Sequence, residues 1–280
     1  MSGHVPIMVQ KVTGFFQGAP DGAIVDGTAG GGGHLEALRL CCPERQLVAM
    51  ERDPVFSASL EQRFRDDPMV TVHNRSYTDI QSVLAAPAAG ALFDLGLSSL
   101  QLDDPSRGFS HRLDGPLDMR FDTSRGEPMH EKLRSMGEAE IADVIYRYGQ
   151  EGRSRRIARE IKSAMPVRTT LELRAAVMKA VGGNPVKPLS RVFQAFRIFV
   201  NDELLQLDRL IAGLHLWLAP LGRVAFITFH SMEDRAVKLL FRDSPHFICT
   251  DPPWQLPSPS EVRENPRARS ARLRTAVRAS

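Results

Sequence analysis

A glycine-rich segment between a strand-like run and a helix-like run constrains the fold of this chain more than any other feature. Residues 23–34 have the sequence AIVDGTAGGGGH, and residues 35–40 have helical composition. The pattern predicts a strand ending at Asp26, then a tight turn and a helix. Glycines in such a turn permit φ > 0 and let a ligand approach backbone N–H groups. We therefore predict a nucleotide-like ligand here; a plain structural turn is the alternative interpretation.

The spacing of the acid and the glycines separates two kinds of nucleotide-binding loop. Residues 26–32 follow the pattern D-x-T-x-G-x-G, as in the acid-first loop of methyltransferases that bind S-adenosylmethionine. The dinucleotide pattern G-x-G-x-x-G, begun at Gly30 and Gly32, would need a glycine where the chain has Leu35. The spacing therefore favours the methyltransferase type.

An acidic residue follows the next predicted strand. Residues 46–50 (QLVAM) form a short apolar run, and Glu51 comes directly after them. Nucleotide-binding folds place the acid that accepts both ribose hydroxyls about 20 residues beyond the glycines. We therefore predict that Glu51 binds a ribose, whereas Arg52 and Asp53 fit a solvated charged turn.

Two further strands are predicted at residues 69–73 and 91–96. The first leads to Tyr77, which either lies against an adenine or is a half-buried loop aromatic. The second carries Asp94 near its carboxyl end. Ligands of open α/β sheets bind beyond the carboxyl ends of the strands, so Asp94 should converge with the acids that end the first two strands. The polar, aperiodic residues 97–104 are predicted to form a loop at the same rim.

The alternation of strands and helices stops between about residue 105 and residue 188. Helical patterns, the first interrupted at Gly149 and Gly152, cover residues 138–165, 170–181 and 190–218, and a strand returns at residues 223–229. A helical insertion in an α/β fold is the economical account. We therefore assign residues 1–104 and 206–280 to a core domain and residues 105–205 to an inserted helical domain.

The late strand leads into a helix start. Ser231 and Asp234 form an S-x-x-D capping signature, and these residues fit a purely capping role. His230 lies at the end of the strand on the predicted ligand rim, so its imidazole is a candidate substrate contact.

Composition and charge limit the classes of protein to which this chain can belong. With 42% hydrophobic and 25% charged residues, the chain matches an ordinary globular protein, and a net charge of +3 gives no sign of nucleic-acid affinity by itself. Arginines are concentrated near the end of the chain, at Arg263, Arg267, Arg269, Arg272, Arg274 and Arg278. This basic tail is either solvated or suited to a phosphate-rich partner.

The cysteines and the hydropathy pattern argue against several classes. Cys41, Cys42 and Cys249 have no metal-ligand spacing, so we expect no metal and no disulfide. Residues 1–4 lack the charged region of a secretion signal, and no apolar run has the length of a membrane span. We therefore expect a cytoplasmic protein with no membrane partner.

Six sequence blocks carry a resemblance to one family. In chain order they are residues 94–104 (DLGLSSLQLDD), 107–110 (RGFS), 114–120 (DGPLDMR), 191–197 (RVFQAFR), 229–235 (FHSMEDR) and 265–270 (NPRARS). Together they resemble the bacterial 16S ribosomal RNA cytosine-N4-methyltransferases, the MraW family. The resemblance extends in family order from His4 almost to the end of the chain, and the six listed blocks begin at residue 94.

The resemblance implies an α/β class I S-adenosylmethionine-dependent methyltransferase, with a Rossmann-like sheet and an inserted all-helical domain. It implies transfer of a methyl group to the exocyclic N4 of a specific cytidine in the decoding region of 16S rRNA, with the small ribosomal subunit as partner. The family's cofactor contacts match Gly32, Gly33, His34, Glu51, Tyr77, Asp94 and Gln101. The oligomeric state stays open between monomer and homodimer.

The chain departs from the family pattern at several positions. Glu51 stands where aspartate is usual, and Tyr77 where phenylalanine is common. Residues 187–190 read KPLS where the family has HPAT, so the family's RNA contacts near these residues are not carried over to this chain. Residues 251–254 spell DPPW, a signature of DNA amino-methyltransferases in which several further strands follow. Here we interpret DPPW as a coincidental turn, with Asp94 in the acceptor-strand position.

The implied reaction needs hydrogen-bond acceptors beside the substrate amine. The lone pair of a cytosine amine is delocalised into the ring, so acceptors at Asp94, Ser98 and Ser99 are the catalytic candidates that hold its N–H groups. RNA contacts are expected from the arginines of the insertion, which are Arg107, Arg112, Arg120, Arg153, Arg155, Arg156, Arg191 and Arg197. A nicotinamide-dependent oxidoreductase and a non-catalytic RNA-binding factor on this fold are the alternatives.

Overall fold

The computed structural model describes residues 6–280, so the N-terminal residues 1–4 considered above lie outside the described part of the chain. The described residues up to Gly96, together with Leu204–Ser280, form one compact unit, and Leu97–Glu203 form a second. We call these the sheet unit and the helical unit. The junctions differ from the boundaries 104/105 and 205/206 assigned from sequence. The first lies earlier because Leu97 and Leu102 pack against the core of the helical unit.

The sheet unit is built on a seven-stranded sheet with the order β3-β2-β1-β4-β5-β7-β6. The strands are β1 Ile24–Asp26, β2 Leu47–Met50, β3 Val70–His73, β4 Ala88–Asp94, β5 Leu218–Thr228, β6 Phe247–Cys249 and β7 Arg272–Arg278. Strands β1 to β5 are parallel, and β7 runs antiparallel to both β5 and β6. The carboxyl ends of β1, β2 and β4 are therefore neighbours on one rim of the sheet.

The helices in chain order are α1 Val9–Gln17, α2 Gly33–Cys41, α3 Pro54–Arg63, α4 Ser99–Asp103, α5 Met129–Ser135, α6 Glu138–Gly149, α7 Ser154–Ser163, α8 Thr170–Val181, α9 Val186–Asn201, α10 Glu203–Trp217, α11 Ser231–Asp243 and α12 Pro259–Glu264. None of the helices in residues 6–280 is long and apolar enough to cross a membrane.

Both faces of the parallel sheet are buried, as expected when crossover helices cover each side. Adjacent strand residues point to opposite faces, so Ile24 packs with Phe16 of α1 and Leu38 of α2. Val25 packs in a separate cluster with Leu214 of α10 and with α11. The predicted α/β, Rossmann-like sheet is confirmed.

The helical unit has its own apolar core and needs no strand among its described residues. Ile145 of α6, Ile157 of α7, Val177 of α8 and Phe196 of α9 are all fully or almost fully buried in this cluster. The inserted all-helical body predicted from the loss of strand patterns is therefore present. The long helical pattern at residues 190–218 is divided between α9 and α10 at Asp202, which has φ 52°.

Three local expectations were wrong. Residues 97–104 contain α4 instead of a loop, because Ser98 and Gln101 cap the helix start reciprocally. The cap of α11 is His230 paired with Glu233, one residue before the predicted Ser231. The basic tail, interpreted as solvated or phosphate-binding, contains the strand β7, whereas residues 251–253 of the DPPW segment do form a bend.

Candidate functional site

The turn between β1 and α2 has the conformation that its glycines were predicted to allow. Gly30 has φ 51° and Gly32 has φ 84°, and Gly32 forms the N-terminal cap of α2. A Cβ atom on Gly32 would lie 2.6 Å from Leu60 Cδ2. Packing against α3 therefore also requires glycine at position 32. The structural role and the ligand-binding role of this glycine are thus compatible.

Glu51 closes this turn from the end of β2. Its Oε2 accepts a 2.6 Å hydrogen bond from the Gly30 N–H, and its Oε1 accepts another of 2.6 Å from the Asp53 N–H. Burial raises the pKa of the Glu51 carboxyl to about 7, although the two N–H donors act in the opposite direction. Glu51 thus connects two neighbouring loops of the rim, a role that the sequence did not predict.

Asp26, His34 and Asp94 form a buried polar cluster on the same rim. Asp26 is fully buried, and its Oδ1 accepts a 3.2 Å hydrogen bond from the Thr28 N–H. The Asp94 N–H donates to Thr28 Oγ1 at 2.6 Å. His34 Nε2 lies 3.6 Å from Asp94 Oδ2, which is ion-pair distance but too long for a hydrogen bond. The sequence grouped Asp26 and Asp94 with Glu51, and the structure confirms that β1 and β4 bring them to one edge.

Several atoms of this cluster have no hydrogen-bond partner among residues 6–280. They are Asp26 Oδ2, Asp94 Oδ1 and both ring nitrogens of His34. An unsatisfied buried polar atom costs about 1–3 kcal/mol, and native structures contain few of them. The cluster therefore has the character of a ligand site, because a ligand with N–H and O–H donors would satisfy these atoms.

Burial and neighbouring charges shift the pKa values of Asp26 and His34. Burial raises the pKa of Asp26 to about 6, and the nearby imidazole of His34 opposes that rise. Burial alone would lower the pKa of His34, but Asp94 and Asp26 outweigh it, so the pKa lies above its ordinary value of 6.5. The imidazolium form of His34 is thus stabilised by two carboxylates.

Tyr77 begins a 3₁₀ turn after β3 and lies partly buried beside the apolar cluster of the sheet. Its ring packs edge-to-face against Phe93, with centroids 5.9 Å apart. The loop-aromatic interpretation is therefore correct for its packing. Contact with an adenine remains a prediction.

Gly33 is the first residue of α2, and the predicted residues Ser98, Ser99 and Gln101 lie in the helical unit. Ser98 Oγ accepts from the Gln101 N–H at 3.1 Å, and Gln101 Oε1 accepts from the Ser98 N–H at 3.2 Å. Gln101 is buried, and Ser99 is the first residue of α4. Ser98 and Gln101 therefore cap the start of α4, and their contact with substrate or cofactor stays a prediction.

His230 is turned toward its own helix. Its Nδ1 accepts from the Glu233 N–H at 3.4 Å, and its Nε2 lies 3.0 Å from Glu233 Oε1. The side chain is 9% exposed. This arrangement makes His230 a helix cap, and the expected substrate contact is not supported.

Comparisons with known proteins decide the family. The model of the MraW methylase family matches residues 1–279. The chain is 43% identical to the ribosomal RNA small subunit methyltransferase H of Sorangium cellulosum, covering 98% of this chain and 90% of that one. It is 40% identical to the protein of the same name from a Cyanothece species, with 98% and 94% covered. A third, from Rubrobacter xylanophilus, is 42% identical, with 98% and 96% covered.

This chain belongs to the MraW methylase family. It is therefore an S-adenosylmethionine-dependent methyltransferase, and neither a nicotinamide oxidoreductase nor a non-catalytic factor fits the match.

The cluster on the rim fits the cofactor of the MraW family. S-adenosylmethionine presents hydroxyl and ammonium donors and carries a positive sulfur. Asp26 Oδ2 and Asp94 Oδ1 are buried acceptors with no partner in the described part of the chain. The Gly30 and Gly32 turn adds a backbone that no side chain screens. Among residues 6–280 no group of three or more His, Cys, Asp and Glu side chains has the arrangement of a metal site.

One feature of the site was missed at the sequence level. The Thr28 hydroxyl accepts from the Asp94 N–H, and the Thr28 N–H donates to Asp26 Oδ1. Thr28 therefore connects Asp94 at the end of β4 to Asp26 at the end of β1. The D-x-T spacing was visible, but the partner of Thr28 lies on β4, far along the chain. Only the pairing of β1 with β4 reveals it.

Proposed function

We propose that this methyltransferase acts on the exocyclic N4 of a specific cytidine in the decoding region of 16S rRNA, within the small ribosomal subunit of the cytoplasm. Three relatives that cover nearly the whole chain are named as small-subunit rRNA methyltransferases. The cytidine N4 target rests on the resemblance of the six sequence blocks. The observation that carries the assignment of the site is the pair of unsatisfied carboxylate oxygens, Asp26 Oδ2 and Asp94 Oδ1.

The residues proposed to hold the cofactor are Gly32, Gly33, His34, Glu51, Tyr77, Asp94 and Gln101. Bound S-adenosylmethionine supplies a methyl group that its positive sulfur makes electrophilic. Glu51 keeps the glycine turn in place through its hydrogen bonds to Gly30 and Asp53, and its remaining lone pairs are the proposed ribose acceptors. His34 and Asp94 provide a charged pair beside the turn.

The amine of the target base needs acceptors that hold its N–H groups. Asp94 ends β4 with one unpartnered oxygen, Oδ1, which is a suitable acceptor. Ser98 and Ser99 remain the further candidates; the Ser98 hydroxyl accepts from Gln101 and retains a second lone pair. Positioning of this kind supplies much of the acceleration when the methyl donor is already activated. A base that stacks in RNA must leave its stack to enter such a site.

The test is incubation of the full chain with radiolabelled S-adenosylmethionine and small ribosomal subunits, naked 16S rRNA or tRNA, followed by digestion to nucleosides. The expected product is N4-methylcytidine from small-subunit RNA. Label in 5-methylcytidine, in a methylated base other than cytosine, or in tRNA alone would overturn the proposal. Asp94→Asn is the matched variant, expected to retain the fold and lose transfer.

A further inference from the structure

A buried carboxylate in the helical unit joins two arginines from different elements. Glu151 is 3% exposed and follows the end of α6. Its Oε1 accepts from Arg153 Nε at 2.9 Å, and its Oε2 accepts from Arg191 Nη1 of α9 at 3.2 Å. Burial alone would raise the pKa of Glu151, but these arginines outweigh it and keep the pKa below its ordinary value.

The backbone around this carboxylate is closely packed. A Cβ atom on Gly149 would lie 2.6 Å from the Arg191 carbonyl oxygen, so α6 and α9 approach here at backbone distance. Gln194 Nε2 donates to the Tyr148 carbonyl at 3.2 Å, which adds a second connection between the same helices. The two guanidinium groups are therefore attached to a fixed frame, and little side-chain entropy remains to be lost when they bind.

The two arginines also face solvent. Arg153 is 44% exposed and Arg191 is 49% exposed. Each guanidinium carries five N–H donors. One bond from each arginine to Glu151 and one weak bond from Arg153 to the Val181 carbonyl use only some of them. Outward-facing donors on two neighbouring guanidinium groups are the usual means of binding a phosphate.

The surrounding surface is strongly basic. Arg155 and Arg156 lie in the first turn of α7 and are exposed, and neither forms an ion pair among residues 6–280. Glu151 neutralises only one of the two charges that it joins. The nearby Glu160 already lies 2.7 Å from Lys179 Nζ. This face therefore has an excess of positive charge, which favours a polyanion.

We infer that Arg153 and Arg191 together bind one backbone phosphate of the substrate RNA, and that Glu151 is the positioning residue that holds them. This inference rests on the proposed RNA substrate and adds a specific contact to it. The excess of unpaired positive charge favours the phosphate site.

The experiment compares RNA binding by the full chain and by Arg153→Gln/Arg191→Gln. The probe is a fluorescein-labelled single-stranded oligouridylate, titrated at several salt concentrations. Removal of one phosphate contact should lower affinity about tenfold at low salt and reduce the slope of log K against log salt by about 0.7. An oligomer of the same bases on an uncharged peptide backbone should show no such dependence on the arginines.

Two further variants keep the test decisive. Glu151→Gln/Arg153→Gln/Arg191→Gln removes the buried charge together with its partners, so it avoids leaving Glu151 unpaired, and it should bind RNA as weakly as the double variant. Arg153→Lys/Arg191→Lys keeps both charges and should retain the salt slope of the parent. Arg147→Gln breaks an exposed pair with Asp143 on α6 and is the control, expected to bind within twofold of the parent.

Unchanged affinity and slope in a triple variant that unfolds at the parent's temperature would overturn the inference. An equal loss with the uncharged oligomer would also overturn it, because the arginines would then not be reading phosphate. Methyl transfer by the parent chain is scored separately. If the parent methylates small-subunit RNA and the triple variant binds RNA normally, only the phosphate site fails; if arginine-dependent binding is seen without transfer, only the proposed function fails.

Discussion

The carboxylate of Glu51 accepts two hydrogen bonds before any cofactor is bound. Because it fixes the Gly30 and Asp53 N–H groups, its removal should loosen the glycine turn as well as delete a ribose acceptor. Glu51→Ala is therefore expected to weaken S-adenosylmethionine binding by about 1–3 kcal/mol, measured by calorimetry. Glu61→Ala, on the exposed side of α3, is the control. An unchanged dissociation constant in a folded Glu51→Ala protein would remove Glu51 from the site.

The buried Asp26 predicts a pH dependence of stability in the ligand-free protein. Its pKa rises from 3.8 in the unfolded chain to about 6 in the folded one, so the folded state binds more protons between these pH values. The free energy of unfolding should therefore fall as pH rises from about 4 to 6, by roughly 2–3 kcal/mol for this group. Protonated Asp26 is the more stable form, and its advantage is lost above pH 6.

Asp26→Asn should show a fall smaller by this amount, because Glu51, whose pKa is also raised, still contributes, and it should lose cofactor affinity. The measurement is urea unfolding between pH 4 and 7.5, followed by fluorescence of Trp217 and Trp254, both of which lie in the sheet unit. The exposed Asp66→Asn should follow the parent curve. Parallel curves for Asp26→Asn and the parent would contradict the prediction.

At the scale of elements, β7 shows how a basic sequence can form a buried strand. Arg274 is 7% exposed, and its Nε donates to Asp234 Oδ1 of α11 at 2.7 Å. The same carboxylate accepts from Arg272, whose guanidinium lies over the Trp254 ring. A desolvated arginine is tolerated because its partner carboxylate is held beside it. Of the two interpretations of the tail, neither full solvation nor phosphate binding describes Arg274.

Asp234→Ala should therefore cost about 3–5 kcal/mol, because it leaves the Arg274 charge buried without its partner. Asp243→Ala is the matched control on the same helix, since Asp243 is 56% exposed and pairs with the exposed Arg242. That change should cost less than about 1 kcal/mol. Urea unfolding followed by tryptophan fluorescence measures both variants, and equal effects would show that burial of the pair has no consequence.

The limits of sequence reasoning are clearest at these elements. Strands β1 to β5 were predictable because apolar runs bounded by turn residues are local signals. Polar and apolar residues also alternate in β7 around Leu273, but its arginines indicated an exposed segment. The reason is that Asp234, which compensates the charge of Arg274, is distant in sequence. α4 was missed because its start depends on the reciprocal Ser98 and Gln101 cap in a short, polar stretch.

A similar limit applies to the arginines predicted to contact RNA. Arg107 is buried and donates to the Arg120 and Phe121 carbonyls, and Arg120 and Arg197 each form paired hydrogen bonds with a carboxylate. Their structural role depends on folded neighbours that no spacing indicates. Arg112 and the arginines around Glu151 remain as the exposed candidates.

At the scale of the whole molecule, the positions of the cysteines bear on the chemistry. Methylation at pyrimidine C5 generally requires a cysteine thiolate that adds to the ring. Cys41 and Cys42 lie at the end of α2 opposite to His34, about 10 Å away at 1.5 Å per residue. Cys249 lies on β6, three strands from β4 and thus about 14 Å across the sheet. Burial, with Cys42 alongside, raises the pKa of Cys41 to about 12.

Replacement of all three cysteines by serine should therefore leave methyl transfer within a few-fold of the parent. The product should be N4-methylcytidine, identified by nucleoside mass spectrometry. A well-folded triple variant without activity, or a covalent adduct trapped with 5-fluorocytosine RNA, would contradict direct attack by the amine.

The order of the strands also has a consequence for synthesis on the ribosome. β7 is made after β6 but lies between β5 and β6, and within the described sheet β6 pairs only with β7. During translation β5 and β6 must therefore wait as unpaired edges until residues 272–278 have left the exit tunnel. Loss of these few residues would deprive two strands of their neighbour at once, so a nascent chain stopped just before them would carry open edges of the kind that chaperones bind and aggregates extend.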